Sequence, residues 1–142
     1  PHGRTLPRKG TAVELVPKQH TTKGPADRFT GDVWFDVVAS GVEPSRIRVN
    51  TVRFSPGART AWHAHAVGQT LYVVDGVGLA QSRGGALTEM HPGDVVHTPP
   101  GEWHWHGAGP RTFMTHLAVV EAAEDGQTTE WDAHVGPEDY PA

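Results

Sequence analysis

Period-two or solidly apolar stretches recur along the chain at 32–39 (DVWFDVVA), 46–54 (RIRVNTVRF), 70–75 (TLYVVD), 78–82 (GLAQS), 94–99 (DVVHTP) and 112–121 (TFMTHLAVVE). Alternation fits a strand with one face on a core, and a short apolar run fits a strand covered on both faces. Turn signals separate the stretches: SPGA at 55–58, DGVG at 75–78, RGGA at 83–86, HPGD at 91–94 and PPGE at 99–102. Each contains glycine, and most add proline or aspartate, residues that reverse a chain through positive φ, a locked φ or a side-chain acceptor. Strands roughly every ten residues with tight turns between them predict an all-β sandwich or barrel. Residues 1–30 read as an irregular N-terminal arm and 31–135 as the barrel. A last strand is expected around 128–135, after which the tail, 136–142, frays.

Length and composition narrow the picture without naming a chemistry. With 142 residues the chain is expected to form one domain around one sizeable core. Seventeen glycines and twelve prolines, spread throughout, agree with many turns and argue against long helices. A net charge of −4 and the lack of any basic run give no electrostatic reason to expect nucleic acid or an anionic membrane as partner. The apolar runs are too short to span a bilayer, and the start PHGRTLPRKG lacks the apolar segment of a signal peptide, so a cytoplasmic location is the expectation. The chain has no cysteine, which excludes disulfides, thiolate metal sites and a cysteine nucleophile. No nucleophilic-serine, phosphate-loop or dinucleotide fingerprint occurs.

Histidine changes the picture. Seven of the ten histidines (His63, His65, His91, His97, His104, His106 and His116) fall between positions 63 and 116. In AWHAHAVGQ, His63 and His65 stand at i and i+2, so on a strand they share a face. An unbroken strand would put Gln69, Leu71 and Val73 on that face too, making it the interior one. Two buried imidazoles with no carboxylate beside them need a partner, since an unsatisfied buried polar group costs about 1–3 kcal/mol. A divalent cation meets that need, and imidazole suits several first-row metals. A third ligand must come from elsewhere. PPGEWHWHG offers His104 and His106, again at i, i+2, and FMTHLAVV offers His116 among core-facing Met114, Ala118 and Val120.

These residues resemble the two motifs of the cupins. The first, G-x5-H-x-H-x3-E-x6-G, is matched by Gly57, His63, His65, Gln69 and Gly76, with Gln where the family has Glu. The second, G-x5-P-x-G-x2-H-x3-N, is matched by Gly93, Pro99, Gly101 and His104, with Ala108 in place of Asn. The resemblance implies a single-domain jelly-roll β-barrel with one metal in its mouth, held by His63, His65, Gln69 and His104. A neutral carboxamide instead of a carboxylate leaves the metal its full charge, which favours polarising a bound oxygen.

A narrower similarity, to bacterial manganese-dependent hydroxynitrile lyases of cupin fold, rests on PGARTAWHAHAVGQTLYVVDGVG, PGDVVHTPPGEWHWHGA and MTHLAV. It implies Mn(II), with Fe(II), Zn(II) or Ni(II) as other candidates for the divalent transition metal. It implies His116 as acid–base, Thr60 as a hydroxyl near the substrate, and His106 beside the metal without ligating it. Asn50, Val52 and Val120 are the candidates for the pocket wall. The expected reaction is reversible cleavage of a small cyanohydrin. The rival readings are a dioxygenase, a polyketide cyclase or isomerase of the same fold, and a non-catalytic binding module. His97 is read as packing beside the barrel wall, and His2, His20, His91 and His134 as solvated. Trp105 is placed on the face opposite His104 and His106, packing between sheets or at a subunit contact. The expected partners are a small-molecule substrate and further copies of the chain, as a homodimer or homotetramer that covers exposed strand edges.

Overall fold

The computed structural model describes residues 12–141, so the first eleven residues of the arm, His2 among them, lie outside the described part. In chain order the strands are β1 (Thr22–Lys23), β2 (Phe29–Thr30), β3 (Val33–Ala39), β4 (Ile47–Phe54), β5 (Arg59–Thr60), β6 (His63–His65) and β7 (Gln69–Gly76). They continue as β8 (Gly78–Ser82), β9 (Thr88–Met90), β10 (Val95–Thr98), β11 (His104–Ala108), β12 (Met114–Glu121) and β13 (Thr129–Trp131). Every regular element among the described residues is a strand, and no helix there is long and apolar enough to cross a membrane.

Two curled sheets form a jelly-roll barrel. One has the order β1-β3-β4-β12-β7-β10; the other runs β13-β6-β11-β5-β2, with β8 also on β11 and β9 on β8. Between them lies an apolar core of Val33, Val52, Phe54, Ala58, Leu71, Val73, Met90, Ala108 and Met114. Strand parity explains which side chains reach it: Gln69, Leu71 and Val73 are buried while Thr70, Tyr72 and Val74 face out. Gly107 permits the close approach of β11 and β5, because a Cβ there would sit 2.5 Å from the Ala58 carbonyl oxygen.

A second cluster, Trp62, Leu79, Trp105, Val135 and Tyr140, covers the opposite side of the second sheet. Trp105 is fully buried there, on the face away from His104 and His106, and its indole Nε1 donates to Gln81 Oε1 at 2.7 Å. Removing roughly 200 Å² of indole from water contributes on the order of 5 kcal/mol.

Four sequence expectations need correction. The arm is not wholly irregular: β1 pairs with β3 and β2 with β5, where sheet edges offer unpaired backbone groups. Residues 63–73 are not one strand. The chain turns at 66–68, with Gly68 at φ 86°, so β6 and β7 belong to different sheets. The tail packs instead of fraying. Tyr140 Oη donates to Ala108 O at 2.6 Å, and Arg59 lies over the Tyr140 ring while donating to Val135 O. Finally His97 is exposed, because its position on β10 has the outward parity of the edge strand.

Candidate active site

β6 and β11 run antiparallel with His63 opposite His104, which brings their rings to 4.2 Å between centroids. His65 stands two residues along, 4.9 Å from the His63 ring and 5.2 Å from that of His104. His106, two residues beyond His104, stands 5.1 Å from His63. Four imidazoles thus converge from two neighbouring strands of one sheet. Gln69 enters from the other sheet, its Oε1 3.4 Å from His104 Nε2.

Each ring of the expected ligand set is fixed through Nδ1. That of His63 lies 2.8 Å from Ala61 O, that of His104 lies 2.9 Å from Glu102 O, and that of His65 lies 3.1 Å from Thr129 Oγ1. A carbonyl can only accept, so His63 and His104 carry their protons on Nδ1 and keep a lone pair on Nε2, the arrangement that metal-ligating histidines use. His65 Nε2 is buried with no hydrogen-bond partner. These orphaned and lone-pair nitrogens, with a carboxamide oxygen beside them, fit a divalent cation.

The tightest grouping is not quite the expected one. One ligand atom from each of His63, His104 and His106 lies within 4.8 Å of the others, whereas the resemblance gives the third imidazole position to His65. Nδ1 of His65 lies against Thr129 on β13, and His106 stands close enough to His63 and His104 for the three to share a cation.

Burial sets the protonation state. Desolvation, followed by the mutual repulsion of neighbouring rings, pushes His63 and His106 well below the ordinary imidazole value. His65 and His116 are pushed down to about 4, in both cases chiefly by desolvation, and His104 is lowered for the same reason. At neutral pH all five rings are uncharged, with lone pairs free for a metal or a proton.

His106 also links this group to a further buried histidine. His116, fully buried on β12, has its Nε2 3.0 Å from His106 Nδ1, leaving His116 Nδ1 and His106 Nε2 without partners. Thr60 is buried and accepts from the His106 backbone N–H at 3.2 Å, which leaves its own hydroxyl proton to donate. The bulge between Thr115 and His116 resets the β12–β7 register at this point.

All these groups except His104 line one cavity of about 360 Å³, small for a ligand pocket and sized for one ring with substituents. Its wall includes Asn50, Val52 and Val120, the positions expected there, and also Phe29, Phe54, Ala118 and Trp131. Trp131, stacked on His63 at 4.7 Å, lies on the last strand that the sequence suggests around 128–135, but its place at the site comes from the pairing of β13 with β6, which no pattern within the tail marks. His91 pairs with Glu89 at the surface, and His20 and His134 are exposed, as the sequence suggests.

A family model described as a cupin domain matches residues 50–116. The chain is 52% identical over 128 residues to an (R)-mandelonitrile lyase of Granulicella tundricola, a match covering 90% of this chain and 97% of that protein. Among solved structures, a cupin-like protein from Thermotoga maritima superposes with a TM-score of 0.78 at 36% identity, covering 90% of this chain and 95% of the other. A polyketide cyclase from Streptomyces resistomycificus superposes with a TM-score of 0.55 at 20% identity, over 83% of this chain and 78% of the other, a likeness of fold alone.

Proposed function

The chain belongs to the cupin family, and we propose that it is a metal-dependent lyase of hydroxynitrile type, cleaving small cyanohydrins reversibly to aldehyde and cyanide. The observation that carries this reading is a group of neutral imidazoles at one small cavity, with no carboxylate among its described lining, and a hydrogen bond that links one of them, His106, to His116. The 52% identity to a protein named (R)-mandelonitrile lyase supports it.

His63, His65, His104 and Gln69 would hold the cation, with Mn(II) the metal that the resemblance in sequence implies. When bound, it supplies Lewis acidity toward the substrate hydroxyl oxygen. The histidine pair handles the proton. In the tautomer where His116 Nε2–H donates to His106 Nδ1, His116 keeps a lone pair on Nδ1 and serves as base. The hydroxyl O–H bond breaks, its proton going to His116. The C–C bond to the nitrile then breaks as the carbonyl forms, and cyanide departs with the electron pair. The same proton returns to cyanide, giving HCN. His106 Nε2–H and the Thr60 hydroxyl are donors aimed at the negative charge that passes through the site. Phe29, Phe54 and Trp131 exclude water and seat an aryl or alkyl group.

Incubating the Mn-loaded protein with racemic mandelonitrile tests the reading. Benzaldehyde release that falls by about two orders of magnitude in His116→Ala supports it, since general-base catalysis typically contributes that much or more. Metal-loaded protein that releases no aldehyde, but consumes oxygen with an aryl alkene, overturns it.

A further inference from the structure

The inner face of β4 carries Arg48, Asn50, Val52 and Phe54 in alternation, and all four line the cavity. Among the described residues of the lining, Arg48 alone has a permanent charge, and no Asp or Glu joins it there. A cationic side chain at an otherwise neutral cavity wall calls for an anion, and the ion pairs among the described residues do not supply one. They engage Lys23, Arg46, Arg53, Arg83 and His91, and leave Arg48 out. The depression of about 490 Å³ on its outer side includes Glu43 and Glu124, neither of which pairs with it.

What holds Arg48 is backbone. Its Nη1 donates to the carbonyl oxygens of Ser40 and Ile47, the latter at 3.0 Å. Those two bonds use both protons of Nη1. The Nε–H and the Nη2 protons have no partner among the described residues, and together they form the edge of the guanidinium that grips a carboxylate with two parallel hydrogen bonds. The side chain is therefore anchored by one nitrogen with its bidentate edge free.

Register places this edge relative to the chemistry. Arg48, Val120 and Gln69 face one another across β4, β12 and β7, so Arg48 and Gln69 are two strand spacings apart, roughly 10 Å. His116 is opposite Val52, four residues along β4 from Arg48, or about 13 Å between backbones at the rise of an extended strand. Side chains reaching inward from both ends leave a gap that one ring with a substituent opposite its reacting carbon can bridge, and Val120, Ala118 and Trp131 give that ring an apolar bed.

We propose that Arg48 is a specificity-determining residue, and that the preferred substrate is a cyanohydrin, or its parent aldehyde, bearing a carboxylate at the end remote from the reacting carbon. This deepens the lyase reading and rests on it for the identity of the reacting group. The carboxylate docks on the Nε/Nη2 edge while the hydroxyl or carbonyl end meets the histidine cluster. Arg48 does not touch the reacting atoms, so its effect falls on KM and binding, and kcat stays the same.

The test compares 4-formylbenzoate with its neutral counterpart 4-formylbenzamide on the Mn-loaded full-length chain. Both are measured in cyanide addition and, separately, in calorimetric binding without cyanide. The carboxylate should bind roughly tenfold tighter or better, as a charge-assisted bidentate contact implies, and the advantage should shrink as salt is raised. In Arg48→Gln, KM for 4-formylbenzoate should rise by about the same factor, with kcat and the amide's KM unchanged and the circular dichroism spectrum retained. Arg48→Lys should recover part of the preference by charge alone.

Equal affinity of the two compounds for the unaltered chain overturns the proposal even if R48Q fails to fold. So does a preference that survives in R48Q, which would assign the carboxylate to the metal. A rise in the KM for cyanide with the neutral aldehyde would assign Arg48 to the cyanide anion, and overturns it too. If neither compound turns over but 4-formylbenzoate still binds in an Arg48-dependent way, the lyase reading fails and the carboxylate site stands. If both turn over with equal KM, the reverse holds.

Discussion

The buried histidines make the metal-free protein acid-labile, and His116 allows the size of the effect to be worked out. Its folded-state value is lowered from 6.5 to about 4 by complete desolvation. The unfolded chain therefore binds a proton between these values that the folded chain refuses. The stability that comes from a neutral His116 is fully present above pH 6.5 and is lost as the pH falls through that window toward 4. At about 1.4 kcal/mol per pH decade, the full loss is on the order of 3 kcal/mol, and about 2 kcal/mol of it has already gone at roughly pH 5. That is a large share of the 5–15 kcal/mol by which domains of this size are ordinarily stable. His63, His65 and His106 are shifted the same way and add to it, so the chelator-treated protein should be markedly weakened at mildly acidic pH. Urea unfolding followed by tryptophan fluorescence, at about pH 7.5 and about pH 5, measures the total. His116→Gln replaces the imidazole with a non-titrating group able to donate to His106, and the drop between the two pH values should shrink by about 2 kcal/mol. An identical drop in the variant, or none in either protein, refutes the claim that His116 is held neutral by burial.

Three further outcomes follow from contacts elsewhere. If His65 is the third imidazole ligand, Thr129→Val, which removes the partner of its Nδ1, should weaken Mn(II) or Zn(II) binding by about tenfold. Calorimetric titration should also rank His65→Ala as more damaging to metal affinity than His106→Gln; the opposite ranking would transfer the position to His106. Tyr140→Phe should lower stability by about 1 kcal/mol, the worth of its hydrogen bond to Ala108 O, without altering metal affinity, and thermal melts with and without added Mn(II) check both halves.

Strand positions were largely legible in the sequence, because period-two burial leaves a direct trace. The runs at 32–39, 46–54, 70–75, 78–82 and 112–121 each coincide with a strand to within two residues at each end. Short strands left no such trace. β5 and β2 have two residues each, too few for a period, and they exist because a neighbouring edge captures them. The 63–73 segment shows how parity can agree with burial for a different reason. His63, His65, Gln69, Leu71 and Val73 are all buried, yet a turn at 66–68 hands the chain from one sheet to the other between His65 and Gln69. The three-residue turn sets Gln69 four positions after His65, and this even offset, not a continuous strand, keeps the odd-numbered side chains inward.

What parity cannot supply is contact between sheets, and the site depends on it. His106 belongs to β11 and His116 to β12, in different sheets, and no pattern within either strand foretells their 3.0 Å hydrogen bond. That bond couples two assignments that look independent in sequence. A metal on His106 Nε2 would force the proton onto His106 Nδ1, which must then donate to His116 Nε2. Neutral His116 would carry its own proton on Nδ1 and have no lone pair left for a substrate. With His65 as the third imidazole instead, His106 is free to keep its proton on Nε2 and accept from His116, whose Nδ1 then becomes a base. The base role of His116 and the exclusion of His106 from the metal are thus one proposition. Nε2 of His65 and Nε2 of His106 are both buried without a partner among the described residues, so the ranking of His65→Ala against His106→Gln in metal affinity decides both assignments at once.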